Sequence, residues 1–305
     1  MKKNIITVLI SFVICFVSCN SISKNFESDD KDSLVIQLIT YVLDQAHYLD
    51  IEINDKFSEK VFHSFLENID PYKRYLYQSD IDMLSKYKYE IDDSFNQPDL
   101  EFFDLAYEIL TQRIDEAKQI SQEVLSKPFN FQLEETFNFD IEELQYVNSK
   151  IDLVERWRKL MKVYLIENYH DEIKEDERTF EKDSTFKARS YSEIELETRE
   201  ILNETMTDYF VIMEEEFQRQ HWFSIYLNSF VSQYDPNTSY LDPEDRDRFN
   251  IDMSGNYAGI GAVLRKKVDK IEITELISGG PAWRNNSLEK GDVILKVRQE
   301  DDNEP

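Results

Sequence analysis

The chain has 305 residues, 32% of them charged, and a formal net charge of −27. That length has room for about two domains of ~100–200 residues each. The acidity excludes nucleic acid and anionic lipid surfaces as ligands, because both are held by Lys and Arg on phosphate, while 17 Tyr and 20 Phe spread among the charges exclude acidic disorder.

The N-terminus reads as an address. Met1-Lys2-Lys3-Asn4 is basic, and Ile5 to Val17 is an apolar run of signal-peptide length, short for a membrane span. It ends in Phe16-Val17-Ser18-Cys19, which resembles a bacterial lipoprotein cleavage box except that Phe16 replaces the usual leucine. The resemblance implies removal of residues 1–19 up to the cysteine, lipidation of Cys19 and a membrane-anchored, exported product. Asn20 in place of aspartate favours the outer membrane by the same analogy, with the periplasm as the compartment faced. The only cysteines are Cys15 and Cys19, so cleavage there leaves no thiol for an internal disulfide. The polar residues 20–32 are expected to tether lipid to body.

From Leu34 onward apolar residues recur at offsets of three and four, the mark of helices with one buried face. Segments are expected at 34–49, 58–66, 81–91 and 102–124, and again at 141–168, 191–207 and 207–234, the last two readable as separate helices or as one. Breaks fall at Asp70-Pro71, Gln97-Pro98 and Lys127-Pro128. Residues 171–190 are charge-rich and fit either a loop or a long solvent-exposed helix. Residues 33–250 are therefore read as one helical domain.

An internal echo lies within it. Asp70-Pro71, three residues, then Tyr75-Leu76 matches Asp235-Pro236, three residues, then Tyr240-Leu241. Each follows an apolar helix end, where proline disfavours helical geometry at the preceding aspartate. Two copies this far apart are a reused packing device, not a repeat array.

All six glycines lie at or beyond Gly255, and the acidity stops there too: the remainder holds 8 Lys+Arg against 9 Asp+Glu. Residues 251–305 are thus a second architecture. Tyr257 to Leu264 reads as a turn into a strand, Lys270 to Leu276 as an alternating strand, and Val293 to Val297 as a further strand after the Gly291-Asp292 turn. Pro281-Ala282-Trp283-Arg284 suits the first turn of a short helix. The fold class is mainly α, followed by a partial, mostly β unit.

Gly259-Ile260-Gly261-Ala262, Gly279-Gly280-Pro281-Ala282 and Gly291-Asp292-Val293-Ile294, in that order, resemble the opening part of a PDZ domain. With Asp235 to Leu241 and Met253-Ser254-Gly255 before them, they resemble tail-specific, or C-terminal processing, serine peptidases. Asp70-Pro71 with Tyr75-Leu76, Gln78-Ser79-Asp80 and Arg156-Trp157-Arg158-Lys159 resembles that family's helical N-terminal domain. The resemblance implies that the backbone N–H groups of Gly259, Ile260, Gly261 and Ala262 capture a peptide carboxylate, that Leu264 lines the pocket for the last side chain, and that the partners are protein substrates with apolar C-termini.

The family uses a serine nucleophile and a lysine base in a later domain, and no serine or lysine here matches that motif. The expectation is a scaffold and recognition portion that does not itself hydrolyse peptide bonds. Ser184-Thr185-Phe186-Lys187 has a Ser-x-x-Lys form, but the form recurs at Ser21, Ser85 and Ser287 and lacks a Lys-Thr-Gly partner. His47, His63, His170 and His221 lack ligand spacing, so neither metal nor cofactor is expected. Trp157, Trp222 and Trp283 read as core or interface aromatics. Two other readings are a non-catalytic envelope lipoprotein that holds C-terminal tails and a purely structural envelope protein. Oligomeric state is not encoded in any motif.

Overall fold

The computed structural model describes residues 28–183, 185–254, 259–267, 270–286 and 288–297. The signal, Cys19 and the first part of the tether lie outside the described residues, as do Ser184, Gly255 and Tyr257-Ala258. The described chain runs through ten α-helices and then a small sheet: α1 Ser28–Ala46, α2 Asp55–Ile69, α3 Gln78–Leu84, α4 Ile91–Asn96, α5 Glu101–Leu125, α6 Lys150–Lys182, α7 Tyr191–Glu216, α8 Arg219–Val231, α9 Pro243–Ser254, β1 Ala262–Lys267, β2 Lys270–Leu276, α10 Pro281–Asn285 and β3 Val293–Ile294.

Local chemistry accounts for the starts of α2, α6 and α7. Asn54 caps α2 by accepting from the N–H of Lys56 at 3.0 Å and of Phe57 at 3.3 Å. Ser149 caps α6 through Asp152 N–H, and Ser190 with Glu193 forms a capping box on α7. The apolar stripe of α2, including Val61, Phe62, Phe65 and Ile69, is buried, as is that of α5. These faces meet α8 in an aromatic core. Phe95 and Phe230 stack with centroids 3.5 Å apart, and Phe65 meets Tyr226 edge-on at 5.3 Å. Helices α5, α6 and α7 pack on one another beside it.

Two stretches depart from their sequence patterns, and two that the sequence left open take one form. Helix α1 begins at Ser28, inside the expected tether, because Asp32 is buried (3% exposed) and ion-paired with Arg219 at the start of α8. Residues 141–149 are not helical. Asp140 turns the chain by accepting from Glu142 N–H at 3.0 Å, and the Leu144 carbonyl is taken by Lys73 Nζ at 2.6 Å. Helix α6 runs on to Lys182, so the charged stretch is largely helix, with Arg189 folding back from the loop onto Asp176 at 2.6 Å. Finally, α7 and α8 are separate. Glu214, Glu215 and Glu216 put negative charge on the negative end of α7, and Gln218 Nε2 caps the carbonyls of Glu214 and Glu215 at 2.8 and 3.2 Å.

After Pro243 one more helix, α9, continues to Ser254, four residues past the expected boundary at 250. The sheet that follows is antiparallel with order β1-β2-β3. β3 is shorter than its sequence pattern: only Val293 and Ile294 pair, with Glu272 and Ile271.

Candidate functional site

The glycine turn and β1 form the first candidate site. Gly261 has φ +75°, a left-handed conformation that side chains resist, and a Cβ there would lie 2.8 Å from Pro281 Cδ and 3.0 Å from Gly280 Cα. Gly280 is equally constrained, since its Cβ would lie 2.9 Å from the Ile277 carbonyl. The two glycine motifs therefore exist to let two turns touch. Hydrogen bonds fasten them: Ala282 N–H donates to the Ile260 carbonyl at 2.8 Å, and Ile277 N–H to the Gly261 carbonyl at 2.9 Å. At the Gly291-Asp292 turn, Asp292 accepts from Glu289 N–H at 2.8 Å, and Ile273 exchanges backbone bonds with Gly291 and Asp292, both at 2.8 Å. Ile273 and Ala282 form the buried centre of this unit.

β1 pairs with β2 alone among the described residues, so its other edge carries no described strand. The register shifts between Val263 and Leu264, a bulge just after the turn. Ile260 and Leu264 are 46% and 44% exposed, and Trp283 on α10 is exposed as well. The structure thus brings Gly259, Ile260, Gly261 and Ala262 together at the mouth of an edge strand, with Leu264 two positions along it.

The second locus is the Asp70 turn. Asp70 is wholly buried, and its carboxylate accepts from the backbone N–H of Arg74 at 2.9 Å, Tyr75 at 3.0 Å and Leu76 at 2.9 Å. Burial pushes its carboxyl up, against the pull of those three donors. Lys73 sits at φ +46°, closing the turn. Helix α6 reads the other side of the same backbone: Trp157 Nε1 donates to the Arg74 carbonyl at 2.9 Å, and Arg156 to the carbonyls of Lys73 and Gln145. The Arg156-Trp157 pair singled out in the sequence is therefore the clamp on Asp70-Pro71. Trp222 is buried like Trp157, whereas Trp283 is exposed.

The echo at Asp235 keeps the turn with less burial, its side chain 12% exposed. Thr238 N–H donates to the Asp235 carbonyl at 3.1 Å, as Lys73 N–H does to Asp70 at 3.0 Å. The Asp235 carboxylate accepts instead from Asn237 N–H at 2.8 Å and the Thr238 hydroxyl at 3.0 Å. His47, whose side chain is 8% exposed, reaches this turn from the end of α1, with Nε2 3.3 Å from Thr238 Oγ1 and 3.6 Å from Asp235 Oδ2. Its Nδ1 accepts from Leu49 N–H at 3.2 Å, so the ring is engaged on both sides and holds no free nitrogen for a nucleophile. Among the described residues no three His, Cys, Asp or Glu side chains converge as a metal site.

One group at the Asp70 turn went unread in the sequence. Arg74 projects between α6 and α7, where its Nη2 donates to the Tyr209 hydroxyl at 2.6 Å. Tyr209 also bonds the Tyr75 hydroxyl, and burial holds the Tyr75 phenol far above its ordinary range. A lone arginine in Pro-Tyr-Lys-Arg-Tyr gives no local signal of this.

A family model for the tail-specific protease N-terminal domain matches residues 39–244. A tail-specific protease of Haemophilus influenzae is 31% identical over 272 residues, covering 88% of this chain and 36% of that protein. A probable CtpA-like serine protease of Staphylococcus aureus is 44% identical over 63 residues, 21% of this chain and 12% of that protein. The chain spans about a third of the length of the first relative and about an eighth of the second.

Proposed function

The chain belongs to the tail-specific protease N-terminal domain family, and from that membership we propose that it is the scaffold and substrate-recognition portion of an exported tail-specific serine peptidase. In this reading the helical domain supports the enzyme, the PDZ-like sheet recruits protein substrates by their apolar C-termini, and peptide-bond cleavage is carried by a serine/lysine domain of the whole protein. Export and anchoring through Cys19 belong to the same proposal. No helix among the described residues is long and apolar enough to cross a membrane.

The observation that carries the reading is the fastened turn at the edge of β1 that pairs with no described strand. Gly261, held against Gly280 and Pro281, fixes the backbone where a terminal carboxylate would meet the N–H groups of Ile260, Gly261 and Ala262. A peptide extending from there would pair with β1, its last side chain against Leu264. The test is fluorescence anisotropy with one apolar heptapeptide as free acid and as C-terminal amide. Saturable binding of the acid and at least a tenfold weaker amide supports the proposal. Equal binding of both, or of neither, overturns it.

A further inference from the structure

Beyond the sheet, the helical domain contains a second place built for a carboxylate. A cavity of about 320 Å³ opens between α6 and α7. Its floor is apolar, made of the buried Trp157, Leu160, Leu202 and Met206, and the exposed Tyr164 and Ile201 stand at its rim. Arg74 lines the same cavity.

The surroundings of that guanidinium are unusual. It is partly buried in a chain with nearly two acids per base, yet no carboxylate among the described residues forms an ion pair with it. Asp70, close in sequence, spends both oxygens on backbone N–H groups. The charge is met by rings instead: the guanidinium carbon lies 5.1 Å from the Tyr75 centroid, 5.3 Å from Tyr209 and 5.6 Å from Tyr72. Its one described side-chain bond, to Tyr209, uses one of five N–H donors. The cost of holding a cation here is offset by the rings and by the nearby Asp70 charge without a direct ion pair, and its planar fork is left for one.

We propose that this cavity binds an organic carboxylate with a short apolar body, the carboxylate on Arg74 and the body on Trp157, Leu202 and Met206. Apolar walls with one directed charge are the usual composition of a small-ligand pocket, and this volume suits a single apolar residue. The chemistry fits a polypeptide end or a short acyl chain, so the probes are N-acetyl-leucine, its amide N-acetyl-leucinamide, and hexanoate.

The chain carries its own reporters. The Trp157 indole N–H bonds the Arg74 carbonyl, whereas Trp283 lies beside Pro281 in the sheet unit. The experiment is a titration of the whole chain followed by the three tryptophan indole N–H resonances, assigned with Trp222→Phe and Trp283→Phe. N-acetyl-leucine is expected to move the Trp157 resonance saturably, with the amide at least tenfold weaker. Tighter binding of N-acetyl-leucine than of hexanoate identifies a polypeptide end, and the reverse an acyl chain. Arg74→Met should weaken the titration at least tenfold. Thr205→Phe, an exposed position on the cavity's lining, should block it without touching the core. The proposal is overturned if acid and amide shift Trp157 alike, if only Trp283 responds, or if Thr205→Phe with unchanged far-UV circular dichroism leaves the titration intact. Trp157 reports the cavity and Trp283 the sheet, so failure at one is distinguished from failure at the other.

Discussion

Replacing Asp70 and Asp235 in parallel separates motif from burial. Both sit in Asp-Pro turns, but only Asp70 is wholly enclosed, with Tyr75 3% and Leu76 0% exposed around its acceptors. Asp70→Asn can turn its amide oxygen toward Tyr75 and Leu76, which share one carboxylate oxygen, and then presents an NH₂ group to the Arg74 N–H, which uses the other. That removes one hydrogen bond to a charged acceptor, a loss of about 1.5–3 kcal/mol. Asp70→Ala strands the two most buried N–H groups, at about 1–3 kcal/mol each, so about 4 kcal/mol in total. Against a typical stability of about 5–15 kcal/mol, either is a large fraction. Asp235→Asn affects bonds to Asn237 and Thr238 on a more exposed turn, where water can substitute, and should cost about 0.5–1 kcal/mol. The assay is urea unfolding of the full chain followed by helical circular dichroism and tryptophan fluorescence. If Asp70→Asn and Asp235→Asn destabilise by the same amount within error, burial is not what gives the first turn its weight, and the reasoning fails.

Other perturbations follow from single contacts. Gly261→Val must leave its positive φ or collide with Pro281 and Gly280, a strain of about 1–3 kcal/mol confined to the sheet. It should abolish free-acid peptide binding by anisotropy while the helical unfolding transition stays put. Arg219→Ala leaves the Asp32 carboxylate buried without its cation and should destabilise by about 2–4 kcal/mol, less than a fully buried pair because the guanidinium is partly exposed. Limited proteolysis should then release α1 first. Hydrogen bonds from Arg158 and Lys162 hold Glu135 down to about 2 from an ordinary 4.5. A depressed folded value means the stabilisation is fully present above 4.5 and is lost as pH falls toward 2. Glu135→Gln should therefore be less stable at neutral pH and show a flatter loss between pH 4.5 and 2 in urea midpoints.

How far the sequence announced this depended on the range of the interaction. Helix α2 was legible in its middle because Val61, Phe62 and Phe65 sit at helical offsets before a proline stop, whereas the Asn54 cap that starts it at Asp55 went unread. The turns of the sheet were legible because Gly261, Gly280 and Gly291 each serve a conformation or contact that lies within about thirty residues. The start of α1 was not, since Asp32 reads as a polar linker residue until Arg219, 187 positions away, pairs with it. Nor was the absence of helix at 141–149, where the apolar spacing is helical but Lys73 and Arg156 compete for its carbonyls. The gap between α7 and α8 has neither glycine nor proline, and the side-chain cap from Gln218 ends α7 instead. Arg74 is a further case: its cavity is made by residues 83 and 135 positions further on.

The Asp70 turn and the Arg74 cavity also explain one another. Asp70 holds the N–H side of residues 74–76, and Trp157 and Arg156 hold the carbonyl side of residues 73 and 74. The Asp235 turn is anchored differently, by Asn228 on the N–H and carbonyl of Tyr240 and by His47 at Thr238, with no carboxylate gathering successive backbone N–H groups as Asp70 does. What the extra bonds achieve is a fixed backbone beneath a long side chain that would otherwise lose about 2 kcal/mol of rotamer entropy on binding. With Tyr209 and Tyr75 bonded to each other above it, the guanidinium is aimed before any ligand arrives. Preorganisation of that kind raises affinity by removing ordering costs. It gives a structural reason for a buried Asp-Pro turn, a buried tryptophan and a paired set of tyrosines to occur together on one turn and two helices.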